Sequence, residues 1–403
     1  MPSDPAAWRR DFPALDVRVH GHRLAYLDSA STSLKPTAVI EAVVRVFTHA
    51  AGNVHRGVHA LSEAATEAFD HARATIAAFI GGAIDEVVLT HGTTEAINLV
   101  AHSWGRAHVG AGDAVIVSAL EHHSNLVPWQ VLCADRGATL RIAPVDDRGR
   151  IELAGLTALL DGRVKLVAVS HLSNVVGTIA PIAELARLAH AVGAVLLVDG
   201  AQAIAHLPID VAALGCDFYA FSGHKLFAPT GTGVLWGRRE LLAAMPPWQT
   251  GGEMVGSVHH DAARYREPPH RFEAGTPDIA GVIGLGAAIG WLANLDRTAI
   301  EAHEARLHRR LRDTLAAIEG VRIVGDPEAA VVAFTVDHAH PHDVATIVDR
   351  EGVAIRSGHH CAEPLHRRFG IAASARASLA LYNTDEDIDA LAAALSRVRQ
   401  VLR

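Results

Sequence analysis

Two apolar runs in this chain each lead into a residue that can do chemistry. Val195–Val198 is followed by Asp199, and Phe218–Phe221 is followed by SGHK (222–225), which ends in Lys225. An aspartate and a lysine at the ends of two strands suit pyridoxal phosphate. The lysine amine forms a Schiff base with the aldehyde, and the carboxylate keeps the pyridine nitrogen protonated. Either residue alone would more often be a helix cap or a solvated side chain, so the interpretation depends on the pair and on the clusters described next.

Three more polar clusters follow apolar runs, namely HGTT (91–94), EHHSN (121–125) and HLSN (171–174). In open α/β sheets, ligands bind beyond the carboxyl ends of the strands. Together with DGAQ (199–202) and SGHK (222–225) they make five clusters. We expect all five to share one edge of a sheet and to form one site.

The HGTT cluster is predicted to bind phosphate. Thr93 and Thr94 follow Gly92 and would open a helix, whose free amides and hydroxyls can hold a phosphate dianion. An ordinary threonine N-cap is the alternative. Ser222 and His224 flank the lysine and could add hydrogen bonds to the same phosphate.

Two further residues could contact the ring of such a cofactor. Gln202 lies three residues beyond Asp199 and could reach the pyridine hydroxyl oxygen. His122 is aromatic, so it could stack on the ring and move protons near neutral pH. A histidine in a turn usually does neither, so this role depends on the other clusters.

A second decisive feature lies in RSGHHCA (356–362), where a glycine-containing turn places Cys361 beside two histidines and near Arg356. Positive neighbours raise the thiolate fraction of a thiol, as a nucleophile requires. The alternative is a small buried hydrophobe. That alternative fits the apolar surroundings of Cys133 and Cys216 but not the polar surroundings of Cys361.

Arg376 is a candidate for substrate binding. It lies among small residues in ARAS (375–378), and its guanidinium suits bidentate capture of a carboxylate. An exposed structural arginine is the alternative.

The elements that would position these residues alternate between residues 85 and 237. Runs rich in Val, Leu and Ile that are separated by helices indicate an α/β fold with a mostly parallel sheet covered on both faces. The predicted strands are Glu86–Thr90, Ala114–Ala119, Thr139–Val145, Val164–Ser170, Ala194–Val198, Phe218–Phe221 and Gly233–Trp236. The predicted helices include Thr94–Trp104, Leu126–Arg136 and Ile182–Val192. The Gly- and Pro-rich segments Met245–Gly256 and Glu267–Pro277 are predicted to be functional loops.

After about residue 290 the pattern changes to a long charged helix over Leu295–Glu319, shorter strands such as Val331–Val336 and a final helix over Asp385–Leu402. This pattern predicts a smaller α+β domain. The predicted divisions are an N-terminal segment (1–24) that packs with the small domain, a large cofactor-binding domain (25–290) and a small domain (291–403) that carries the cysteine loop.

Composition limits the class of protein. The chain has 403 residues, a net charge of −8 and no basic block, which argues against nucleic-acid binding. No apolar run approaches the ~20 residues of a membrane span, and the N-terminus lacks the long apolar stretch of a secretory signal. Three cysteines do not indicate a disulfide framework, so we expect a cytoplasmic enzyme. The 26 histidines form no HExxH motif and CxxC is absent, so no metal site is expected.

Nine ordered segments resemble cysteine desulfurases, which belong to the class V aminotransferase group of pyridoxal-phosphate enzymes. The resemblance runs from about residue 10 to the C-terminus, and the short RSGHHCA loop is similar to the SUF-type (group II) branch. The segments are LDSAST…KP (27–36), NVHRGVH (53–59), HGTTEAINLVAHSWG (91–105), EHHSNLVPWQ (121–130), VDGAQA (198–203), DFYAFSGHKLFAPTGTG (217–233), RFEAGTPD (271–278), RSGHHCA (356–362) and RASLALYN (376–383).

The resemblance implies the PLP-dependent transferase fold type I, a homodimer with active sites at the subunit interface, and the cofactor pyridoxal 5'-phosphate. Lys225 would bind the cofactor and remove the Cα proton of bound L-cysteine, and Asp199 would pair with the pyridinium. The other implied contacts are Gln202 with the ring hydroxyl oxygen, His122 stacked on the ring, Thr93, Thr94, Ser222 and His224 with the phosphate, and Thr276 with the phosphate of the neighbouring subunit.

The resemblance also implies the roles of the substrate residues. Asn174 and Arg376, with Arg356 close by, would bind the substrate carboxylate. Cys361 would attack the substrate sulfur, keep it as a persulfide and release L-alanine. Selenocysteine lyase and cysteine sulfinate desulfinase are related activities that stay open as alternatives.

The implied role in the cell is sulfur supply for iron–sulfur cluster assembly. A persulfide on a short loop is shielded, so an acceptor protein must collect the sulfur. His342, in HPHDV (340–344), resembles the histidine of relatives that hand sulfur to a zinc-containing, scaffold-like acceptor. A histidine at a helix start is an equally good interpretation, and a SufE-type sulfur carrier is the other acceptor.

Overall fold

The computed structural model describes residues 4–402. The α-helices are α1 (Pro5–Arg10), α2 (Thr37–His49), α3 (Ala60–Phe79), α4 (Thr93–Val100), α5 (Arg106–His108), α6 (Val127–Arg136), α7 (Leu153–Leu159), α8 (Ile182–His190), α9 (Ala203–His206), α10 (Val211–Leu214), α11 (Arg239–Ala244), α12 (Ile279–Ala293), α13 (Arg297–Ala317), α14 (Pro341–Arg350), α15 (Glu363–Arg368) and α16 (Asp385–Val401). The strands are β1 (Arg18–Val19), β2 (His22–Arg23), β3 (Ala25–Tyr26), β4 (Val87–Thr90), β5 (Ala114–Ser118), β6 (Thr139–Ala143), β7 (Val164–Ser170), β8 (Val195–Asp199), β9 (Phe218–Ser222), β10 (Gly233–Gly237), β11 (Val255–Val258), β12 (Ala263–Tyr265), β13 (Val321–Ile323), β14 (Val331–Val336), β15 (Val353–Ala354), β16 (Arg356–Gly358) and β17 (Ser374–Ser378). Short 3-10 helices span Pro13–Asp16, Ile84–Glu86, His123–Asn125, Gly223–Lys225 and His270–Phe272, and Ala101–Gly105 forms a π-helical turn.

Seven strands form the central sheet in the order β4-β10-β9-β8-β7-β5-β6. Strand β10 is antiparallel to both of its neighbours, and the other pairs are parallel. Alternate residues of a strand face opposite sides of the sheet. In β8, Leu196 and Val198 therefore join one apolar core and Leu197 joins the other. The predicted α/β fold, with a mostly parallel sheet covered on both faces, is confirmed.

The second sheet has four antiparallel strands in the order β13-β14-β17-β16. It shares an apolar core with α13, α14 and α16, which makes this part of the chain α+β as expected. The predicted strand Val331–Val336 has the predicted bounds. The charged helix predicted over Leu295–Glu319 begins at Arg297, because the Asp296 side chain caps it by accepting from the N–H of Ala299.

The N-terminal residues contact the small sheet and the last helix. Strand β3 pairs in parallel with β15, and Leu27 lies in the core of the small sheet. Arg9 and Arg23 both donate to the carboxylate of Asp387 at the start of α16. The division of the chain at residues 24 and 290 stays a prediction, and residues 1–3 of the N-terminal segment lie outside the described residues.

Two details of the predicted elements need correction. The segment Met245–Gly256 was expected to be a loop, but its last residues begin β11, which pairs with β12 in an antiparallel ribbon. The helix expected over Thr94–Trp104 is α4 followed by the π-helical turn. Within residues 4–402, no single helix has the length and apolar character to cross a membrane, and only the pair α12 and α13, bent by 88°, passes that test together.

The buried carboxylate of Asp387 should contribute measurably to stability. Asp387→Ala is expected to lower the free energy of unfolding by about 3 kcal/mol, because it leaves a partly buried arginine without its partner. Asp389→Ala is the matched control on the same helix, since Asp389 is exposed and its ion pair with Arg310 is worth less than about 1 kcal/mol. Urea unfolding of both variants measures the difference. Equal losses of unfolding free energy in the two variants would show that the buried ion pairs of Asp387 stabilise the fold no more than the exposed pair does.

Candidate active site

A cavity of about 240 Å³ lies at the carboxyl ends of the parallel strands, where all five polar clusters contribute to its wall. It contains every predicted site residue except Thr276 and His342. These residues are Thr93, Thr94, His122, Asn174, Asp199, Gln202, Ser222, His224, Lys225, Arg356, Cys361 and Arg376.

Asp199 and Lys225 both line the cavity, and burial is the main cause of the pKa shift of each. Burial lowers the pKa of the Lys225 amine to about 8, and the nearby Asp199 offsets only part of that effect. Burial raises the pKa of Asp199, although its Oδ1 accepts from the N–H of Ala201 at 2.9 Å. The turn after Asp199 needs glycine, because a Cβ on Gly200 would lie 2.2 Å from the ring of Tyr219.

His122 is neutral at this site. Burial lowers the pKa of its ring to about 4, and the charge of Lys225 adds to the effect. Its Nδ1 lies 3.1 Å from the N–H of Ser124 and accepts from it, so the proton of the neutral ring is on Nε2.

Several hydroxyl groups lie at the N-terminus of α4. Ser222 Oγ accepts from the N–H of Thr93 at 2.8 Å, and Thr94 Oγ1 lies 2.7 Å from Ser124 Oγ. Gly92 precedes the helix with a φ of 152°, which side chains rarely adopt, and a Cβ on Gly233 would lie 2.3 Å from Gly92 Cα. The N-terminus of α4 and these hydroxyls thus line the cavity, which is where an anion site would lie.

Arg356 and Arg376 also line the cavity, and Asp28 pairs with both of them. Arg376 is buried and donates from Nη1 to the carbonyl oxygen of Asn174 at 2.8 Å. Arg356 donates from Nη2 to Asp28 Oδ2 at 2.8 Å, and Arg376 Nη2 lies 3.4 Å from the other oxygen of Asp28. Within the described part of the chain, Arg376 Nε–H has no hydrogen-bond acceptor. A buried donor without a partner is costly, which points to a ligand acceptor here.

The loop that carries Cys361 is held at three consecutive carbonyl groups. The carbonyl of His360 accepts from the Asn174 amide at 2.7 Å, that of Cys361 accepts from the N–H of His123 at 2.7 Å, and that of Ala362 accepts from His366 Nδ1 at 3.0 Å. His360 and Cys361 both adopt positive φ, at 50° and 55°. The loop therefore has one defined shape.

The exposure of the three thiols agrees with the expectation, but the charged neighbours of Cys361 are not the expected ones. Cys133 and Cys216 are buried, and Cys361 is exposed. The sequence suggested two histidines as positive neighbours of Cys361, which is wrong for His360. Burial lowers the pKa of His360 to about 2, so its ring is neutral. The charges that act on this thiol include those of Lys225 and Arg376.

Thr276 and His342 lie away from the cavity. Thr276 is in a neighbouring pocket, on a loop fixed by Glu273, which pairs with Arg73 through two contacts of 2.7 and 2.8 Å. His342 is exposed as the second residue of α14, with Nδ1 3.3 Å from Ser357 Oγ. Its position at a helix start is confirmed.

A family model described as aminotransferase class-V matches residues 25–391. The chain belongs to the aminotransferase class-V family. It is 50% identical over 397 residues to a cysteine desulfurase of Dickeya dadantii, covering 98% of this chain and 96% of that protein. It is 48% identical over 391 residues to a probable cysteine desulfurase of Halalkalibacterium halodurans, covering 96% of each chain. The crystal structure of the cysteine desulfurase CsdA from Escherichia coli matches with a TM-score of 0.93 and 41% identity over 99% of both chains.

Two residues of this class-V aminotransferase site were missed from sequence. Asp28 forms ion pairs with Arg356 and Arg376. The sequence pointed to it only through its position in the LDSAST segment. Glu121 lies directly before His122, and the signal that could have found it is a carboxylate three residues beyond the end of the buried strand β5. No three His, Cys, Asp or Glu side chains within residues 4–402 are grouped so that they could hold a metal ion.

Glu121 ties β5 to β7 beneath the cavity. Its carboxylate accepts from the hydroxyl of Ser118, from the N–H and hydroxyl of Ser170 at 3.0 and 2.7 Å, and from the Asn125 amide at 2.6 Å. Burial raises the pKa of Glu121 to about 7 in spite of these donors. This network fixes the backbone on both sides of His122.

The raised pKa of Glu121 predicts a pH-dependent effect on stability. Because the folded chain binds this proton more tightly than the unfolded chain, the contribution of Glu121 is complete below about pH 4.3 and is lost as the pH rises through about 7. Glu121→Gln removes this dependence, so the melting temperature of the variant relative to wild type should rise between pH 5 and pH 8.

Melting curves of Glu121→Gln, wild type and the exposed control Glu319→Gln across this range measure the effect. A constant difference between Glu121→Gln and wild type would show that Glu121 does not titrate there.

Proposed function

We propose that the chain is a cysteine desulfurase, which uses pyridoxal 5'-phosphate to convert L-cysteine to L-alanine and holds the sulfur as a persulfide on Cys361. The observation that carries this proposal is a single cavity that contains a desolvated lysine, a buried aspartate at the neighbouring strand end, a buried arginine and an exposed thiol. The names of relatives that match over nearly the whole chain support the same activity.

The residues of the cavity fit pyridoxal 5'-phosphate. The hydroxyls of Thr93, Thr94 and Ser222 at the start of α4 suit its phosphate, and the close approach of Gly92 and Gly233 keeps side chains out of that space. Asp199 uses Oδ1 for the N–H of Ala201, which leaves Oδ2 for the pyridinium. The amide of Gln202 donates to the carbonyl of Ala30 at 2.8 Å, so its role toward the ring hydroxyl stays a prediction.

When bound, the cofactor supplies an electron sink that stabilises negative charge on the Cα of an amino acid. Lys225 suits both attachment of the cofactor and removal of the Cα proton, because a pKa of about 8 leaves part of its amine neutral near pH 7. His122 is also neutral because it is buried, so it can stack on the pyridine ring of the cofactor without adding a charge.

The arginines and the cysteine act on the substrate. A carboxylate oxygen of L-cysteine would accept from Arg376 Nε–H, which has no protein partner among residues 4–402. Cys361 would then attack the substrate sulfur as a thiolate. The substrate carbon–sulfur bond breaks, a sulfur–sulfur bond forms on Cys361, and a proton completes the methyl group of L-alanine. Asn174 contributes by holding the loop of Cys361, since its amide donates to the carbonyl of His360.

The destination of the sulfur is a protein acceptor, and the use is iron–sulfur cluster assembly in the cytoplasm. The short, fixed loop between β16 and α15 supports the SUF-type branch, because Cys361 cannot travel to a distant partner. His342 is exposed and contacts Ser357 of β16, which supports a role in receiving a zinc-containing, scaffold-like acceptor. Sulfur transfer from Cys361 to that acceptor and to a SufE-type carrier, measured side by side, separates the two.

A homodimer is supported by an apolar stripe on α2. Ile40, Val44 and Phe47 are spaced so that they share one face of the helix, and they are 43%, 52% and 68% exposed. Val58 and Leu61 are also exposed nearby in the sequence. Side chains of this size in one stripe indicate a surface that another copy of the chain covers.

The activity is tested by L-alanine formation from L-cysteine with reductant and pyridoxal 5'-phosphate. Wild type should turn over, and both Lys225→Ala and Cys361→Ala should lose at least about 100-fold, since each removes a group that acts on the reacting atoms. Cys133→Ala is the matched control and should retain activity because its thiol is buried elsewhere.

Full activity of Cys361→Ala with L-cysteine would overturn the persulfide mechanism. A selenocysteine lyase or a cysteine sulfinate desulfinase would then be the better assignment.

The stripe on α2 predicts the oligomeric state. Phe47→Asp is expected to shift the protein from dimer to monomer, because it buries a charge in an apolar contact. Val401→Asp is the control, since Val401 is 56% exposed on the last helix and away from the stripe. Sedimentation velocity measures both masses. A dimeric Phe47→Asp variant would show that the contact lies on another surface.

A further inference from the structure

The turn that carries Cys361 has a backbone shape that side chains disfavour. It closes with the N–H of Ala362 donating to the carbonyl of His359 at 2.8 Å, and its two central residues, His360 and Cys361, both have positive φ. Left-handed conformations of residues other than glycine persist only where surrounding contacts hold them. The position of the thiol therefore depends on the contacts that fix the backbone on either side of the turn.

The helix that follows the turn cannot cap itself. Helix α15 begins at Glu363, and its N-cap residue is Ala362, whose methyl side chain accepts no hydrogen bond. The first N–H groups of a helix have no partner within the helix. Ala362 is also fully buried, so this end of the helix is not simply open to water. An acceptor for the N–H of Glu363 must come from another element.

His123 supplies that acceptor and also holds the thiol residue itself. Its ring Nε2 lies 3.2 Å from the backbone nitrogen of Glu363 and accepts from it. The N–H of His123 donates to the carbonyl of Cys361 at 2.7 Å. A backbone N–H can only donate, so Nε2 carries no proton in this contact. One residue thus fixes the chain at Cys361 with its backbone and at Glu363 with its ring.

The residue before His123 belongs to the other half of the site. His122 lines the cavity, where the charge of Lys225 acts on its ring. His123 does not line the cavity, because it faces the loop of Cys361 instead. Two consecutive residues therefore hold the two reacting parts, one on the side of the cofactor ring and one on the side of the thiol. The spacing between those parts is set within a single dipeptide.

Assuming the function proposed above, we propose that His123 is a positioning residue for Cys361. Its ring and backbone together keep the strained turn in the shape that places Cys361 in the wall of the cavity. His123 does not touch the reacting atoms. Loss of its ring contact should therefore slow the step that the thiol performs, which is the attack on the substrate sulfur, and leave the proton transfer by Lys225 unchanged.

Two substitutions isolate the ring of His123, because both keep its backbone N–H. Glutamine can bring Oε1 to the place of Nε2, whereas asparagine can bring Oδ1 only to the place of Nδ1, so only His123→Gln can still cap Glu363. His123→Asn should lower kcat for L-alanine formation from L-cysteine about tenfold, the effect of one lost hydrogen bond. KM should stay within about twofold, because Arg376 still binds the carboxylate. His123→Gln should stay within about threefold of wild type in kcat.

Exchange of the Cα hydrogen of L-alanine with deuterium from heavy water measures the work of Lys225 without the thiol, since L-alanine carries no sulfur. Both variants should exchange it within about twofold of the wild-type rate. A loss of exchange in His123→Asn that equals its loss of turnover would show a general defect and overturn the proposal. Full turnover by His123→Asn, or equally slow turnover by His123→Gln, would overturn it too. If wild type formed no L-alanine from L-cysteine, the proposed function itself would fail.

A second measurement does not depend on turnover. Amide hydrogen exchange of the holoenzyme is followed by mass spectrometry on overlapping peptides that differ by Glu363. The N–H of Glu363 should exchange about tenfold faster in His123→Asn than in wild type, because it loses its acceptor, and His123→Gln should match wild type. Equal exchange in His123→Asn and wild type would show that the ring does not hold this part of the chain, and the proposal would fall.

Discussion

Parallel pairing of β7, β8 and β9 is the constraint on which the site depends. In this register Ser170 lies beside Asp199, and Asp199 lies beside Ala220, so the residues that follow each strand emerge at one edge. Helices cover the sheet on both faces, and the cavity opens at this edge. Low solvation there holds Lys225 and His122 below their usual pKa values, so one constraint sets both position and protonation.

The four-stranded sheet and the residues after it complete the site, and they exchange hydrogen bonds with the residues that follow β7. Arg376 comes from β17 but donates to the carbonyl of Asn174, which follows β7. Asn174 returns a hydrogen bond to the carbonyl of His360. Asp28, near the start of the chain, pairs with Arg356 and Arg376 together. The thiol and the lysine therefore share one rigid frame although they belong to different sheets.

Site residues that directly follow a strand could be predicted from the sequence, whereas residues whose role depends on partners distant in the chain could not. Apolar runs located the strands, and the parallel order brought five polar clusters together, so the cavity could be predicted. Asp28 and Glu121 could not be assigned, because their partners Arg376 and Ser170 are distant in the chain. The neutral state of His360 could not be predicted either, because two histidines near an arginine in the sequence do not show how deeply each ring is buried.

The single antiparallel strand has a consequence for sequence variation. Strand β10 presents its first residue, not its last, at the functional edge, and that residue is Gly233. A methyl group there would overlap the backbone of Gly92. A gain of one carbon at Gly233 must therefore be matched by displacement of Gly92. At Gly92 itself the φ of 152° opposes a side chain, and an added Cβ would lie 3.2 Å from Ser222 Oγ. A related sequence with a larger residue at Gly233 would therefore need a different backbone path at Gly92, next to the residues that begin α4.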